Sequence, residues 1–251
     1  MLLDDLDCLL VSDPVNIRYL TGFIGLSPTE REAYVLLTCS TLNLFTNTLY
    51  LEQANNIKLS NCFIVKSLNT IKSVQIIGIS RENPLSERIK SCLDAPKQAP
   101  TQKPINLGFE ERDLTVAEYN KLRFELSDIA LIPTKNRIEE LRQVKNIQEV
   151  DSIRKAAKLT DKCFTYILTR MTSGITEMEI AWEIESFFNR HGAESAFPPI
   201  VAFGKNTSQP HYKSSPICKL RTANLVLLDF GAKVDGYWAD MTRVIFLGRP
   251  K

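Results

Sequence analysis

The segment Val226-Leu-Leu-Asp-Phe-Gly-Ala-Lys-Val-Asp-Gly-Tyr-Trp-Ala-Asp-Met-Thr-Arg243 predicts a β-hairpin near the end of the chain. Its Asp235-Gly236 pair is typical of a type I′ turn, in which both central residues need a positive φ. The turn joins two predicted strands, Asn224–Val234 and Tyr237–Leu247. Facing residues in such a hairpin have numbers that sum to 471, as 235 and 236 do. The turn therefore fixes the register of the hairpin.

The hairpin carries two carboxylates whose relative position follows from this register. Asp229 lies in the almost entirely apolar run 225–232, which predicts a strand with both faces buried. Thr242 faces Asp229, and Asp240 faces Gly231. The two Asp side chains then share one face as diagonal neighbours, roughly 7–8 Å apart or a little less between Cβ atoms. We expect Gly231 to leave open space between them.

Two like charges buried so close together need a cation, or one of them must hold a proton. The pair therefore predicts a site for one or two divalent cations, about 3.5–4 Å apart if there are two. Oxygen ligands favour Mn, Mg or Ca, and one imidazole would admit Co or Zn. His211, in the polar loop 204–216, is the candidate histidine. The residues alone leave open that Asp229 caps a loop or pairs with Arg243, that Asp240 lies on an exposed edge, and that His211 is incidental.

Two capped helices are predicted before the hairpin. The first follows from an apolar period of about 3.6 residues over 150–171, with Asn146 as its N-cap and Gly174 as its stop. The second begins with the capping box Thr176-Glu-Met-Glu179. A short strand, 200–203, leads from the second helix towards the hairpin.

The first part of the chain alternates short apolar runs with short helical stretches, which predicts an α/β layer domain with a mixed sheet. Helices are expected near 84–93 and 116–125, the latter with a capping box formed by Thr115 and Glu118. The polar stretch 133–137 changes the pattern, so we predict domains 1–136 and 137–251 and an α/β (α+β) fold class. The predicted strands are 9–11, 34–38, 42–46, 62–65, 74–78, 105–109 and 129–132.

The composition is that of a soluble globular protein, with 251 residues, 44% of them hydrophobic, and a formal net charge of +2. A near-neutral balance gives no electrostatic reason to expect nucleic acid or a membrane surface as partner. The six cysteines form no C-x-x-C pair, and the N-terminus carries acids where a secretory signal carries Lys or Arg. No apolar run reaches the ~18 residues of a membrane span. We therefore expect a cytoplasmic protein without disulfides.

Several segments, in order along nearly the whole chain, share a resemblance to one family. They are 16–23, 44–46, 149–157, Pro210-His211 and the hairpin segment 226–243. Together they resemble the pita-bread metallopeptidases of family M24, in the branch of Xaa-Pro aminopeptidases and Xaa-Pro dipeptidases (prolidases). The first two resemble the creatinase-like N-terminal domain of that branch, and the third resembles the opening helix of its catalytic domain.

The resemblance implies a metal-dependent aminopeptidase that hydrolyses the N-terminal Xaa-Pro bond with water activated by two metal ions. Asp229 and Asp240 would be the first two of five metal ligands, with Asp240 bridging the ions. Mn is the metal expected first, with Co or Zn as alternatives. His211 would hydrogen-bond the substrate or the tetrahedral intermediate. The implied partners are peptides with proline at the second position and, for the full-length protein, a second copy in a homodimer, with no nucleic acid and no membrane.

The resemblance also has a departure. The family's other three ligands, a His and two Glu, lie further along than Lys251, so we interpret the chain as a creatinase-like domain followed by the first half of a catalytic domain. We expect the 251-residue chain alone to bind metal weakly, to be inactive, and to aggregate or dimerise through apolar surface. The alternatives are an Xaa-Pro dipeptidase and a non-catalytic peptide- or protein-binding module. Metal-free, creatinase-type hydrolysis is disfavoured because the Asp pair would lack a cation.

Overall fold

The computed structural model describes residues 3–24, 31–57, 71–93, 104–221 and 225–248. The chain divides into two compact units, Met1–Val144 and Lys145–Lys251. No helix in these described ranges is both long enough and apolar enough to span a membrane. The five cysteines within them are free thiols.

The first unit is built on a six-stranded mixed sheet in the order β4-β3-β2-β1-β5-β6. Strand β1 pairs antiparallel with β2 and parallel with β5, and the other pairs are likewise of both kinds. This confirms the predicted mixed sheet, while the predicted strand 62–65 lies outside the described residues. The strands are β1 Cys8–Val11, β2 Ala33–Thr38, β3 Thr41–Asn47, β4 Ser73–Ile79, β5 Ile105–Glu110 and β6 Ile129–Thr134.

Strand β1 is buried on both faces because helices cover both sides of the sheet. Leu9 packs on one side in a cluster that includes Leu20, and Leu10 packs on the other side in a cluster that includes Leu122. The predicted helices near 84–93 and 116–125 are confirmed, and so is the capping box of the second. The helices of this unit are α1 Pro14–Thr21, α2 Leu51–Asn56, α3 Leu85–Leu93, α4 Val116–Glu125 and α5 Arg137–Gln143.

Helix α1 is absent from the elements that we predict, although its signals are readable in the sequence. Asp13 accepts hydrogen bonds from the first turn, Pro14 occupies the start, and Gly22 ends the helix with a φ of 75°. These are an N-cap, a favoured first residue and a left-handed C-cap. The helix was not predicted because its eight residues are too few to show a clear apolar periodicity.

Helix α5 belongs to the first unit, so the compact units divide after Val144 rather than at the predicted boundary after residue 136. Its Ile138 is fully buried in the core beneath α1. Asn16 of α1 donates to Glu139 (2.8 Å) and accepts from Arg142 (2.9 Å). The polar stretch 133–137 is therefore a link inside the unit, because the helix after it packs back onto the same core.

The second unit begins with the two capped helices that the sequence predicts. Asn146 and Thr176 each form a complete capping box. The first helix ends at Arg170 rather than at Gly174, which lies in the following turn with a φ of 96° and donates its N–H to Leu220. The elements are α6 Ile147–Arg170, α7 Glu177–Arg190, β7 Glu194–Ser195, β8 Ile200–Phe203, β9 Leu225–Phe230, β10 Ala232–Val234, β11 Tyr237–Trp238 and β12 Met241–Phe246.

These strands form two three-stranded sheets, β12-β9-β8 and β11-β10-β7. The apolar stripe of α7, with Ile184 and Phe188 at its centre, is fully buried in one cluster with Leu228 and Phe230 of β9. The helices therefore cover one face of the sheet that carries the predicted carboxylates. The whole described structure is a mixed α/β fold, as expected.

Candidate metal and substrate site

The hairpin turn has the predicted conformation. Asp235 and Gly236 have φ values of 51° and 85°, both positive as a type I′ turn requires. The observed pairs follow the predicted register both next to the turn, between β10 and β11, and further from it, between β9 and β12, where Thr242 faces Asp229. The predicted turn and the predicted pairing of Asp229 with Thr242 are therefore confirmed, whereas Asp240 lies outside the strand pairs.

The hairpin is interrupted at Gly231, which separates β9 from β10. A Cβ atom on Gly231 would lie 1.7 Å from the carbonyl oxygen of Ala239 on the facing segment. Its own carbonyl oxygen accepts from the N–H of Ala196, at 2.8 Å. The expectation of open space at Gly231 is therefore wrong, because the facing backbone occupies it. Glycine is required here for close backbone approach.

Strand β9 is buried on one face only, so the predicted burial of both faces is wrong. Val226, Leu228 and Phe230 are fully buried beneath the helices, whereas Asp229 on the other face is partly exposed. The same open face includes Val244 and Phe246 of β12, which are 56% and 38% exposed. Although its sequence is almost continuously apolar, β9 alternates between buried and partly exposed residues, and no described residue packs against its second face.

The two carboxylates are accessible rather than buried. Asp229 is partly exposed and Asp240 is exposed. Asp229 accepts a hydrogen bond from the hydroxyl of Thr242 at 3.1 Å. The cost of burying like charges therefore does not by itself demand a cation here. The register is observed for Asp229, which faces Thr242, whereas Asp240 lies just before β12 and outside the strand pairs.

The alternative pairing of Asp229 with Arg243 has no support in the described structure. Arg243 faces Leu228 across the ladder, so its side chain starts on the opposite face of the hairpin from Asp229. Its guanidinium donates to the carbonyl of Thr242, and no ion pair to Asp229 occurs in the ranges that the structure describes.

His211 lies in the loop after a 3-10 helix, Gly204–Ser208, and is exposed. Its φ of 52° is in the left-handed region, which few residues with a side chain adopt. Within the described ranges, no three His, Cys, Asp or Glu side chains group closely enough to hold a metal ion. The structure therefore does not gather His211 and the two Asp residues into a complete ligand set.

The donor chemistry nevertheless suits a divalent cation. Two accessible carboxylates offer the oxygen atoms that Mn²⁺ and similar ions prefer. Thr242 hydrogen-bonds one of these carboxylates, and such outer contacts orient ligands in metal sites. What fits is the kind of donor, while the described donors are too few for a closed site.

Glu177, at the start of α7, is a residue that the sequence reasoning missed. It is fully buried and its carboxylate accepts four hydrogen bonds. One oxygen accepts from the N–H of Phe203 (2.7 Å) and the side-chain amide of Asn206 (2.9 Å). The other accepts from the hydroxyl of Tyr212 (2.8 Å) and the N–H of Ser215 (2.9 Å). The capping-box pattern locates Glu177, but nothing local in the sequence indicates that a loop 26 to 38 residues away returns to it.

The surroundings of Glu177 change the acidity of two neighbours. Burial, together with the hydrogen bond to the Glu177 carboxylate, raises the pKa of Tyr212 to about 12. Burial also raises the pKa of the Cys218 thiol, and the negative charge of Glu177 adds to the effect. Both groups therefore stay protonated at neutral pH.

A groove of about 430 Å³ lies elsewhere in the second unit, beside α7. It is lined by the outer face of that helix, including Glu179, Trp182 and Glu183, and by the turn around Gly174. None of the predicted site residues lines it. The groove is therefore separate from the hairpin carboxylates.

Two family models match the sequence. The model of the creatinase/prolidase N-terminal domain matches residues 1–144, and that of metallopeptidase family M24 matches residues 151–251. An uncharacterized peptidase of Bacillus subtilis is 30% identical over 246 residues, which is 98% of this chain and 62% of that protein. The chain thus spans less than two thirds of the length of this relative.

Solved structures show the same similarity. An Xaa-Pro dipeptidase from Bacillus anthracis superposes with a TM-score of 0.77 at 30% identity, over 98% of this chain and 62% of that one. An X-Pro aminopeptidase from Thermotoga maritima has the same TM-score at 24% identity, over 98% and 64%, and shows the fold alone. As the sequence resemblance predicts, the chain belongs to metallopeptidase family M24, with a creatinase/prolidase N-terminal domain ahead of its M24 region.

Proposed function

We propose that this chain contributes Asp229, Asp240 and His211 to a metallopeptidase that hydrolyses the N-terminal Xaa-Pro bond of peptides. The observation that carries the proposal is the pairing of Asp229 with Thr242 in the predicted register, in which the Thr242 hydroxyl donates to Asp229. This register supports the proposal that Asp240 projects from the same face as Asp229. An Xaa-Pro dipeptidase is the alternative within the same fold, since solved structures of both kinds superpose equally well on the chain.

Asp229 and Asp240 would hold the divalent ions, with Mn expected first and Co or Zn as alternatives. Ions in such a site supply Lewis-acid polarisation of a carbonyl and a water activated at neutral pH. The hydroxyl of Thr242 holds one oxygen of Asp229 and leaves the other carboxylate oxygen free to turn towards a ligand. His211, on an exposed loop, would donate a hydrogen bond to the oxygen on which charge develops when the peptide carbonyl is attacked.

The first test is Mn²⁺ binding by the 251-residue chain, measured by titration calorimetry. We expect weak binding that is lost in Asp229→Asn and in Asp240→Asn. Asp235→Asn is the matched control, because it removes a carboxylate from the turn of the same hairpin, where Asn also tolerates the positive φ. An equal loss in the control, or no binding in the unaltered chain, would contradict the assignment of the ligands.

The second test addresses the reaction and its specificity. The chain spans about 62% of the length of its relatives, so the native protein should be isolated from its source and its intact mass and metal content measured. Comparing Ala-Pro with Ala-Pro-Ala as substrates separates a dipeptidase from an aminopeptidase. We expect the 251-residue chain alone to hydrolyse neither, and hydrolysis by that chain that Asp229→Ala abolishes would overturn this expectation.

A non-catalytic binding module is the second candidate. It is compatible with the exposure of both hairpin carboxylates, since neither needs a cation to offset its burial. A native protein that purifies without stoichiometric Mn or Co would support it over a peptidase. The cytoplasmic location and the homodimer stay predictions from the sequence.

A further inference from the structure

Glu177 is a buried carboxylate whose negative charge meets no cation in the part of the chain that the structure describes. Leaving such a charge unpaired is costly, and the structure compensates with hydrogen bonds instead. Four donors converge on its two oxygens at 2.7–2.9 Å. Its position in the first turn of α7 adds the favourable end of the helix dipole. So many hydrogen bonds to one buried carboxylate indicate that its role is to hold the donor segments in place.

The four donors lie on both sides of His211 in the sequence. Phe203 and Asn206 precede the histidine, and Tyr212 and Ser215 follow it. Both arms of the His211 loop, residues 204–216, are therefore tied to one carboxylate.

Further contacts close the loop around the start of α7. The N–H of Met178 donates to the carbonyl of Ser215, and the N–H of Glu177 donates to the carbonyl of Cys218, both at 3.2 Å. The hydroxyl of Ser214 accepts from the N–H of Val201 at 2.9 Å. The side-chain amide of Asn206 also donates to the hydroxyl of Tyr212, at 2.8 Å, which links the two arms directly. Of the described side chains outside the loop, that of Glu177 accepts from both arms.

No residue that the structure describes forms a hydrogen bond with the imidazole of His211. His211 is exposed with a φ of 52°, and its neighbour Tyr212 is held by the Glu177 carboxylate. The conformation of His211 therefore depends on the residues beside it. We infer that Glu177 is a positioning residue, which fixes the His211 loop and thereby the direction in which the imidazole is presented to a peptide substrate. This inference rests on the proposed role of His211 in substrate binding.

A carboxylate is required here, and not merely a polar side chain of the same size. All four partners donate, and two of them are backbone N–H groups that cannot change role, one on each oxygen. In Glu177→Gln the amide NH₂ must replace one oxygen and face either Phe203 or Ser215. One backbone N–H then loses its acceptor in a buried place, although the shape of the side chain is unchanged.

The test compares Glu177→Gln with Glu179→Gln in the 251-residue chain labelled with ¹³C-histidine. Glu179 lies two residues away on the same helix, is exposed, and takes part in the capping box, where Gln is also accepted. The chain has two histidines, so the ring signals of His191 and His211 are assigned with His211→Gln. His191 stacks on Phe187 and bonds its carbonyl, away from the loop, and serves as the reference within each spectrum.

We expect the His211 ring signals to shift and to change in line width in Glu177→Gln, while the His191 signals stay in place. Hydrogen exchange of the Phe203 or the Ser215 amide should accelerate about tenfold or more, because its acceptor is lost. Glu179→Gln should leave the His211 signals and both amides as in the unaltered chain. Unchanged His211 signals in a folded Glu177→Gln protein would overturn the inference.

A second variant covers the case in which Glu177→Gln does not fold. Tyr212→Phe removes one of the four donors and leaves every backbone N–H its acceptor. It should shift the His211 signals in the same direction but by less, and no shift would overturn the inference. These signals are measured without metal or substrate, so the positioning role of Glu177 is tested independently of Mn²⁺ binding and peptide hydrolysis. Either proposal can be contradicted while the other holds.

Discussion

The second unit holds two sets of carboxylates in opposite circumstances. Asp229 is partly exposed on the open face of β9 and accepts from the hydroxyl of Thr242, and Asp240 is exposed just before β12. Glu177 is fully buried, and each of its oxygens accepts two hydrogen bonds. The hairpin acids therefore keep most of their hydrogen-bond capacity available, whereas the capacity of Glu177 is filled by donors of the chain itself.

This difference separates two roles for an acidic residue. A carboxylate with all its acceptor positions filled by fixed donors stabilises one arrangement of the chain and has little left for a ligand. A carboxylate held by register and one hydroxyl retains the capacity to bind a cation. Stability should therefore depend on Glu177, and metal binding on the hairpin pair.

The largest effect is expected from Glu177→Ala. The substitution leaves four donors without their acceptor, two of them backbone N–H groups, and opens a cavity. Because each unsatisfied buried group costs about 1–3 kcal/mol, we expect the free energy of unfolding to fall by about 3 kcal/mol or more. Urea unfolding measures it, with Glu179→Ala as the control, which should lose far less because Glu179 is exposed. Equal losses in the two variants would contradict the anchoring role.

The next largest effect is expected from Gly231→Ala in the hairpin. The new methyl group would lie 1.7 Å from the carbonyl oxygen of Ala239, so the two segments must separate. We expect a loss of about 2–3 kcal/mol in urea unfolding and weaker Mn²⁺ binding, since the crossing sets the distance between Asp229 and Asp240. Gly78→Ala is the control, because its methyl group would meet only the flexible end of Leu51, at 3.1 Å. A stable Gly231→Ala protein with unchanged Mn²⁺ binding would show that the close crossing is not needed.

Local signals in the sequence were sufficient for most of the strands, for the longer helices and for the hairpin register, whereas the short helices α1, α2 and α5 were not predicted. The capping boxes at Thr115 and Thr176 and the turn at Asp235-Gly236 each involve residues within a few positions of one another. Burial was predicted less well, because the apolar run around Asp229 cannot reveal that one face of its strand stays open. Contacts between distant segments were not predicted at all.

Glu177 is the clearest example of such a distant contact. Its partners lie 26 to 38 residues further along the chain, and the sequence contains no periodicity that links them. The same limitation applies to helix α5, whose attachment through Asn16 to the first unit crosses more than 120 residues. Patterns of three to eleven residues predict strands, helices and turns, whereas the packing of distant segments depends on the whole fold.

A smaller effect is expected at the hairpin turn. Asp235 has a φ of 51°, a conformation that Asn and Asp tolerate and that a β-branched residue adopts only under strain. We expect Asp235→Val to lower the free energy of unfolding by about 1–2 kcal/mol, and Asp235→Asn to leave it nearly unchanged. Thermal unfolding followed by circular dichroism distinguishes the two. A stable Asp235→Val protein would indicate that the register is held by the strands and not by the turn.

The hairpin acids themselves should contribute little to stability. Asp229 is partly exposed and accepts a hydrogen bond from the hydroxyl of Thr242 at 3.1 Å. We expect Asp229→Asn to change the free energy of unfolding by no more than about 0.5–1 kcal/mol, while Mn²⁺ binding is lost. A loss as large as that of Glu177→Ala would erase the distinction between the two sets of carboxylates.

The last prediction concerns Tyr212→Phe, whose effect on stability should depend on pH. The pKa of Tyr212 is raised to about 12 by burial and by its hydrogen bond to the Glu177 carboxylate, whereas a tyrosine in the unfolded chain titrates near 10. A raised pKa means that the folded state favours the protonated hydroxyl. The stabilisation is therefore complete below about pH 10 and is lost as the pH rises towards 12.

The difference in unfolding free energy between the unaltered chain and Tyr212→Phe should accordingly be constant from pH 7 to 9 and shrink above pH 10. Urea unfolding at pH 8, 9, 10 and 11 measures it, and the subtraction removes the titration of other groups common to both proteins. A difference that grows with pH would mean that the ionised tyrosine is the form favoured by folding. Such a result is incompatible with a hydroxyl that donates to Glu177, and it would leave the N–H of Ser215 as the contact between Glu177 and the arm that follows His211.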